Sequence, residues 1–473
     1  MTKKAADRKR VKLVNKGSDG KNMKGICRRS IVGLFIASLI VAFAFSPQFR
    51  HIYGLPPHMR VIEGETALFT VNFPLTVTVN DGKNEAVRLQ SPLSVFSLSR
   101  PVSLESVNRG TATVDFKLLG LIPVRTVEVD VLPSLKIIPG GHSIGVVLHS
   151  QGVIVVGISP VLNTKDQYVT PAKDGGIVVG DVMLSINGNP VQSDAQVAEL
   201  IDESGKNNQP IDVLIKRGDD RLHVSLTPVL CKDTKRYRIG LFVRDSAAGV
   251  GTLTFFEPQS QNYGALGHVI TDSDTNQPID CNQGKIVLAT VSGIQHGKRG
   301  QPGEKIGVFI EESQLLGDIK KNTPFGIYGS LNTPIENNLY PEALPVASMS
   351  QVQTGAAEIL TVVDGQTIES FSIEIQKVNF QEAPEGKGLV IKVTDPRLLD
   401  KTGGIVQGMS GSPIIQNGRV IGAVTHVFVH DPTRGYGCFI DWMLMESGLI
   451  PPKNKQTAYK LFSYKNDLQL LVS

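Results

Sequence analysis

The stretch Gly408-Met409-Ser410-Gly411-Ser412-Pro413 leaves the chain around it few options. With Gly408 and Gly411 close on either side, Ser410 stands where its hydroxyl can project and another backbone can approach closely. Behind it, Ile414-Ile415 and Val420-Ile421 bracket Asn417-Gly418, a dipeptide that tolerates two positive φ angles, so a β-hairpin is predicted. A serine on a tight loop feeding a rigid hairpin suits a nucleophile. An idle serine in a glycine-rich turn fits the hexapeptide equally well, because Gly-x-Ser-x-x-Pro is a common string.

The 473 residues suffice for two or three domains. Hydrophobic residues at 41% and charged residues at 19% describe a globular chain, and 47 glycines with few aromatics favour short strands over helical bundles. Residues 1–30 carry eleven Lys/Arg against Asp7 and Asp19, so the net charge of +4 resides in this arm and the remainder lies near −5. That excludes a basic nucleic-acid surface on the body. The apolar run Ile31–Phe45 follows the arm directly and suits a secretory signal or signal anchor. The basic excess holds residues 1–30 in the cytoplasm and sends the chain beyond Pro47 across the membrane. Ala42-Phe43-Ala44 resembles a cleavage site, so anchored and released forms both stay open. Three cysteines beyond the segment (Cys231, Cys281, Cys438) allow one disulfide and no metal spacing such as Cys-x-x-Cys, so no cofactor is implied.

The expected order is a basic arm (1–30), signal or anchor segment (31–46), small β-rich domain (61–135), β/α module (136–230), large β unit (233–450) and tail (451–473). In the first β domain, Leu75–Val79 and Thr113–Leu118 alternate with period two between turn residues. It holds no catalytic cluster and reads as a spacer or docking module. In the module, Gly180-Asp181 turns into Val182–Ile186, Asn187-Gly188 closes a hairpin, and Ser193 caps a helix with Ala195, Val197, Leu200 and Ile201 inward. The segment Gly180–Gly188 resembles that of a PDZ domain. The resemblance implies an extended peptide end bound by strand addition, with Ile144, Gly145 and Val146 lining the groove.

A serine hydroxyl needs a base within hydrogen-bond reach and a group that orients the base. His268, directly after Gly267, is the best candidate; His426 and His430 compete, and His296 reads as a solvent-facing turn residue. Asp395 ends a predicted strand before Pro396, while Asp272, Asp274 and Asp318 also lie in plausible loops. Ser412 is a second candidate nucleophile.

Gly264–His268, Thr394–Leu399, Gly403–Pro413 and Val424–Gly437, taken together, resemble the stage IV sporulation protein B peptidases of spore-forming bacteria. The similarity covers the whole domain order and implies a mainly β chain ending in a chymotrypsin-like double β-barrel peptidase. It assigns His268 as general base, Asp395 as orienting acid, Ser410 as nucleophile, and the Gly408 and Ser410 amides as the oxyanion hole. An aspartate so late in the chain departs from the usual chymotrypsin-like spacing. The implied activity is self-cleavage and cleavage of a membrane-held regulator of an intramembrane protease, which triggers a late mother-cell sigma factor. The implied place is outside the cytoplasmic membrane, in the space between forespore and mother cell. A PDZ signalling scaffold without activity and an envelope quality-control protease are the competing readings.

Overall fold

The computed structural model describes residues 57–451, apart from 65, 72–74, 82–84, 90–99, 119, 310–314 and 382, together with isolated positions between 32 and 45. The basic arm, most of the apolar segment and the tail beyond 451 lie outside the described residues. No helix among the described residues is long and apolar enough to cross a membrane.

The first domain is a pair of small sheets. One orders its strands His58–Ile62, Ile122–Leu132, Gly110–Leu118, Leu75–Asn80; the other pairs Thr66–Val71, Arg100–Ser106 and Val87–Leu89. Period-two alternation puts Val114, Phe116, Val127 and Val129 into one core with Val61, Val77 and Leu104. The domain docks on the far end of the chain. The Arg60 guanidinium lies 4.7 Å over the Trp442 ring, and its carbonyl accepts from the Ser348 and Ser350 hydroxyls.

Two 16-residue strands, Ser143–Ile158 and Leu241–Phe256, organise the middle of the molecule. They pair antiparallel from Ile158–Leu241 to Ser143–Thr252, with register shifts beside Phe242 and between Arg244 and Ser246. Such bulges bend and twist a strand pair, so one ribbon serves two domains in succession. Its outer part belongs to the PDZ module, whose core gathers Val153, Val155, Met183, Ile186, Val197, Ile201, Val213 and Ile239. The helix Asp194–Lys206 starts at Ser193, whose hydroxyl accepts from the Gln196 amide at 3.2 Å. Asn187 and Gly188 take φ of 50° and 77°, as the predicted hairpin requires.

The inner part of the ribbon builds a barrel. Residues 144–150 lie between residues 246–251 and the strand Cys281–Gln295. Asn262–Ala265, Gly326–Ser330 and Leu315–Asp318 continue the wall, and a bridge from Gly317 to Leu331 closes it. Ile144, Val146, Leu148, Leu253, Tyr263 and Ile286 fill it. The second barrel is closed and contiguous, ordered Gly355–Val362, Ile368–Val378, Leu389–Val393, Asp431–Phe439, Arg419–Phe428, Pro413–Gln416.

Two expectations are corrected. The large β unit does not start at 233: its first strand, 143–150, precedes the PDZ module, which is inserted between two adjacent strands of the first barrel. Ile144, Gly145 and Val146 line no peptide groove. Both edges of their strand are hydrogen-bonded, to residues 249–251 and 286–288, and Ile144 and Val146 point into the barrel core. A strand without a free edge cannot accept another by addition.

Candidate active site

The loop around Ser410 follows from its glycines. Asp395 caps the helix Pro396–Thr402, Gly403 ends it at φ 76°, and residues 404–412 then cross to the hairpin. Gly408 and Gly411 hold φ of 90° and 93°. A Cβ on Gly411 would collide with the Thr252 carbonyl and lie 2.5 Å from the Leu266 amide nitrogen, so only glycine lets this loop press against the first barrel. The hairpin itself forms as expected, with Asn417 and Gly418 at φ 52° and 70°.

Ser410 and His268 approach neighbouring residues of one strand. The Ser410 hydroxyl donates to the Thr425 carbonyl at 2.8 Å, and the His268 and His426 rings stand 5.2 Å apart. A Cβ on Gly267 would meet the Thr425 methyl at 3.0 Å. The first barrel therefore supplies the imidazole and the second the hydroxyl, at a seam marked by Thr425–His426. The His268 Nδ1 donates to the Val269 carbonyl at 2.8 Å, since a carbonyl only accepts. That bond fixes the tautomer and leaves Nε2 as the basic nitrogen. Burial lowers the His268 pKa below its ordinary value, with the Val269 bond opposing. Burial, His268 and Lys387 lower that of His426 as well. Both rings are therefore neutral near pH 7.

The backbone around Ser410 is poised for an anion. The Met409 amide bonds Val406, that of Gly411 bonds Val424, and that of Ser412 bonds Met409. The Gly408 and Ser410 amides have no acceptor among the described residues. Two free N–H groups beside a serine hydroxyl are the elements of an oxyanion hole.

The remaining candidates separate cleanly. Ser412 is fully buried and its hydroxyl has no partner, so no substrate reaches it. His430 and His296 are solvent-exposed on turns. Asp395 does not meet His268, which corrects its assignment as the orienting acid. One of its oxygens accepts from the Arg397 amide and Nε at 2.9 and 3.1 Å; the other takes Arg397 Nη2 at 2.8 Å and the Ser372 amide at 3.2 Å. The Arg397 guanidinium foremost, helped by these amides, holds the carboxyl pKa at about 2. The Val269 carbonyl occupies the place at Nδ1 that a carboxylate would take.

A cleft with a free strand edge lies elsewhere on the PDZ module. Residues 241–244 pair with Ser143–Ile158 on one edge, and the other edge faces Val197, Ala198 and Ile201 across a cleft of about 520 Å³. Gly240, at φ 81°, turns the chain into this strand, where a Cβ would strike the Ser159 carbonyl. The sequence signal for it is Ile239-Gly240-Leu241-Phe242, a glycine between bulky apolar residues at the start of a strand.

Residues 235–444 match the SpoIVB peptidase S55 family and residues 169–217 match a PDZ domain. The chain is 33% identical over 72 residues to serine protease HTRA1 of Xenopus laevis, covering 14% of this chain and 15% of that protein. It is 30% identical over 116 residues to the regulator of sigma-W protease RasP of Bacillus subtilis, covering 24% and 25%. The chain thus spans a quarter or less of the length of these two relatives. Among solved structures, a PDZ domain of an SdrC-like protein from Listeria monocytogenes is 22% identical with a TM-score of 0.15, covering 20% of this chain and 87% of that one. The active form of the Rv3671c protease from M. tuberculosis is 16% identical with a TM-score of 0.24, covering 43% and 75%.

Proposed function

We propose that this serine endopeptidase, whose residues 235–444 form a SpoIVB-type S55 peptidase domain, attacks peptide bonds through Ser410 with His268 as general base. The reading is carried by one observation: the Gly408 and Ser410 amides stand free beside a serine hydroxyl at the seam that also receives the imidazole. For attack, the Ser410 hydroxyl leaves the Thr425 carbonyl and turns to His268 Nε2, which takes its proton as Oγ bonds the substrate carbonyl carbon. The carbonyl oxygen gains negative charge and accepts from the two free amides. The imidazolium then protonates the leaving amine as the C–N bond breaks, and water repeats the sequence on the acyl-enzyme. The two amides act on charge that develops only in the transition state, each worth about 3–4 kcal/mol of barrier.

Beyond the chemistry, our reading is that the protein serves sporulation. It cleaves itself and a membrane-associated regulator of an intramembrane protease, which leads to activation of a late mother-cell sigma factor. The work takes place on the outer side of the cytoplasmic membrane, in the intermembrane space of the forespore, with residues 31–45 as signal or anchor. The S55 match and the pairing of peptidase with peptide-binding domain support this reading. The PDZ groove then holds a peptide end of the substrate or of the chain itself.

The test is self-clipping and labelling of protein from Pro47 onward. A fluorophosphonate should modify the peptide that contains Ser410, and Ser410→Ala should lower cleavage by about 10⁴-fold or more. Clipping at the wild-type rate in that variant, with contaminating protease excluded, refutes the assignment.

A further inference from the structure

One strand of the peptidase domain runs against its own hydrophobic pattern. In Glu304–Phe309, Lys305 is 1% exposed whereas Ile306 and Val308 are 54% and 55% exposed. An amphipathic strand saves free energy the other way round, and conflicts of this kind gather at functional sites. The Lys305 side chain ends between the two barrels. Its Nζ donates to the Thr361 hydroxyl of the second barrel at 2.7 Å and reaches the Thr252 hydroxyl of the first at 3.4 Å. Thr252 Oγ1 donates in turn to the Gly408 carbonyl at 2.7 Å, and the Thr252 amide donates to the Ser410 carbonyl at 3.0 Å. The aliphatic stem lies where a Cβ on Gly408 would meet it at 3.1 Å, and the Lys305 amide bonds the Gln407 carbonyl at 2.9 Å.

We propose that Lys305 is a positioning residue for the peptidase: through Thr252 and its own packing it fixes the Gly408 carbonyl, and with it the backbone between the Gly408 and Ser410 amides, so that these free amides point at the developing oxyanion. This rests on the reading of Ser410 as nucleophile and deepens it. Lys305 touches neither substrate nor reacting atoms. Its ammonium supplies the one donor that holds Thr252 Oγ1 as an acceptor on one side, which directs the Thr252 proton to Gly408. A neutral amine can accept from that hydroxyl instead and release the Gly408 carbonyl. The charged form is therefore the working form.

Among the described residues, no carboxylate or histidine faces the amine from the elements packed on it. Glu304 is exposed, Asp245 accepts from Ser246, and Glu358 is bound by Tyr340 and Ser370. Burial alone brings the Lys305 pKa down to about 7. Deprotonation thus falls within the range where the enzyme works, on the alkaline side of the His268 titration.

The test is Lys305→Met, an apolar side chain of similar length, assayed on a peptide substrate in preparations normalised by fluorophosphonate titration. Removing a buried cation without a counter-ion leaves the thermal midpoint equal or higher, while kcat falls about 10- to 100-fold and KM changes less than about threefold. A group that only stabilises the fold moves the midpoint down and leaves kcat per titrated site alone. A second measurement needs no variant: wild-type kcat should fall with alkalinity above about pH 7, a limb that Lys305→Met lacks. A kcat per titrated site within twofold of wild type, or an alkaline limb that persists unchanged in Lys305→Met, overturns the proposal. Should the variant not fold, a wild-type kcat flat from pH 7 to 9 overturns it instead. Ser410→Ala keeps the two ideas apart: activity retained there removes the nucleophile assignment, whereas activity lost there but retained in Lys305→Met removes only the inference.

Discussion

The two barrels are built by opposite strategies. All six strands of the second lie between Gly355 and Phe439, so most of its pairings join neighbours in sequence. The first takes a wall from residues 143–150 and pairs it with residues 246–252 and 281–288, across the whole PDZ module. Contacts so distant in sequence cost more loop-closure entropy before they return any stabilisation. The difference shows that the PDZ module is no detachable appendage. It is the connection between two adjacent barrel strands, and the ribbon that borders its cleft also carries Thr252 to the loop around Ser410.

The largest effect expected from this comparison is that of deletion. Removal of residues 140–228 takes away the first-barrel strand 143–150 with its Ile144, Val146 and Leu148 core positions. Cleavage and fluorophosphonate labelling should both vanish. Replacement of residues 159–239 by a short turn keeps both halves of the ribbon and should leave measurable cleavage of an unfolded peptide. Full activity in the longer deletion would mean that the first barrel closes without its first strand and that the PDZ module is detachable after all.

How far the sequence disclosed this arrangement depends on whether a signal was local. The hairpin at Asn417-Gly418, the cap at Ser193 and the loop around Ser410 each follow from residues within a few positions of one another, and each forms as read. The insertion was not legible. The runs through Leu148 and Val153–Gly157 read as two successive strands of one module, and only long-range pairing shows a single strand, Ser143–Ile158, shared between two domains. Asp395 misled for a related reason: an Asp-Pro before a helix is the same string whether the carboxylate caps that helix or crosses to a distant imidazole. Lys305 was not legible either: alternation in Glu304–Phe309 points Ile306 and Val308 inward, and only the structure shows Lys305 buried in their place.

Asp395 sharpens the comparison at intermediate magnitude. Every hydrogen bond that its carboxylate makes stays within the second barrel and its helix, to Ser372 and Arg397. Asp395→Ala should therefore lower the stability of that barrel by about 1–2 kcal/mol, the cost of a lost N-cap. Asp395→Asn, itself a good cap, should retain most of the stability and keep kcat within about tenfold. The sign of the pH effect follows from a folded-state pKa held near 2, below the unfolded value. The carboxylate's contribution is present above the unfolded pKa and is lost as pH falls through the folded one, so wild type and Asp395→Asn should converge in stability between pH 4 and 2. A fall in kcat of about 10⁴-fold in a fully folded Asp395→Asn would instead place the carboxylate on His268 during turnover.

The smallest effect belongs to the groove, and it tests whether the first barrel's ribbon is the peptide edge. Ala198 faces the open side of residues 241–244 across the cleft, away from the barrel. Ala198→Glu should obstruct an incoming strand and weaken binding of an extended, apolar-ended peptide by about tenfold, or roughly 1.4 kcal/mol. The thermal midpoint and the rate of fluorophosphonate labelling should stay at wild-type values, because the helix Asp194–Lys206 keeps its buried Val197 and Ile201. Peptide titration by fluorescence anisotropy measures the first quantity and gel labelling the last. Unchanged affinity would remove this edge as the binding site, and since residues 144–146 have no free edge to offer, the PDZ module would be left with a purely architectural role.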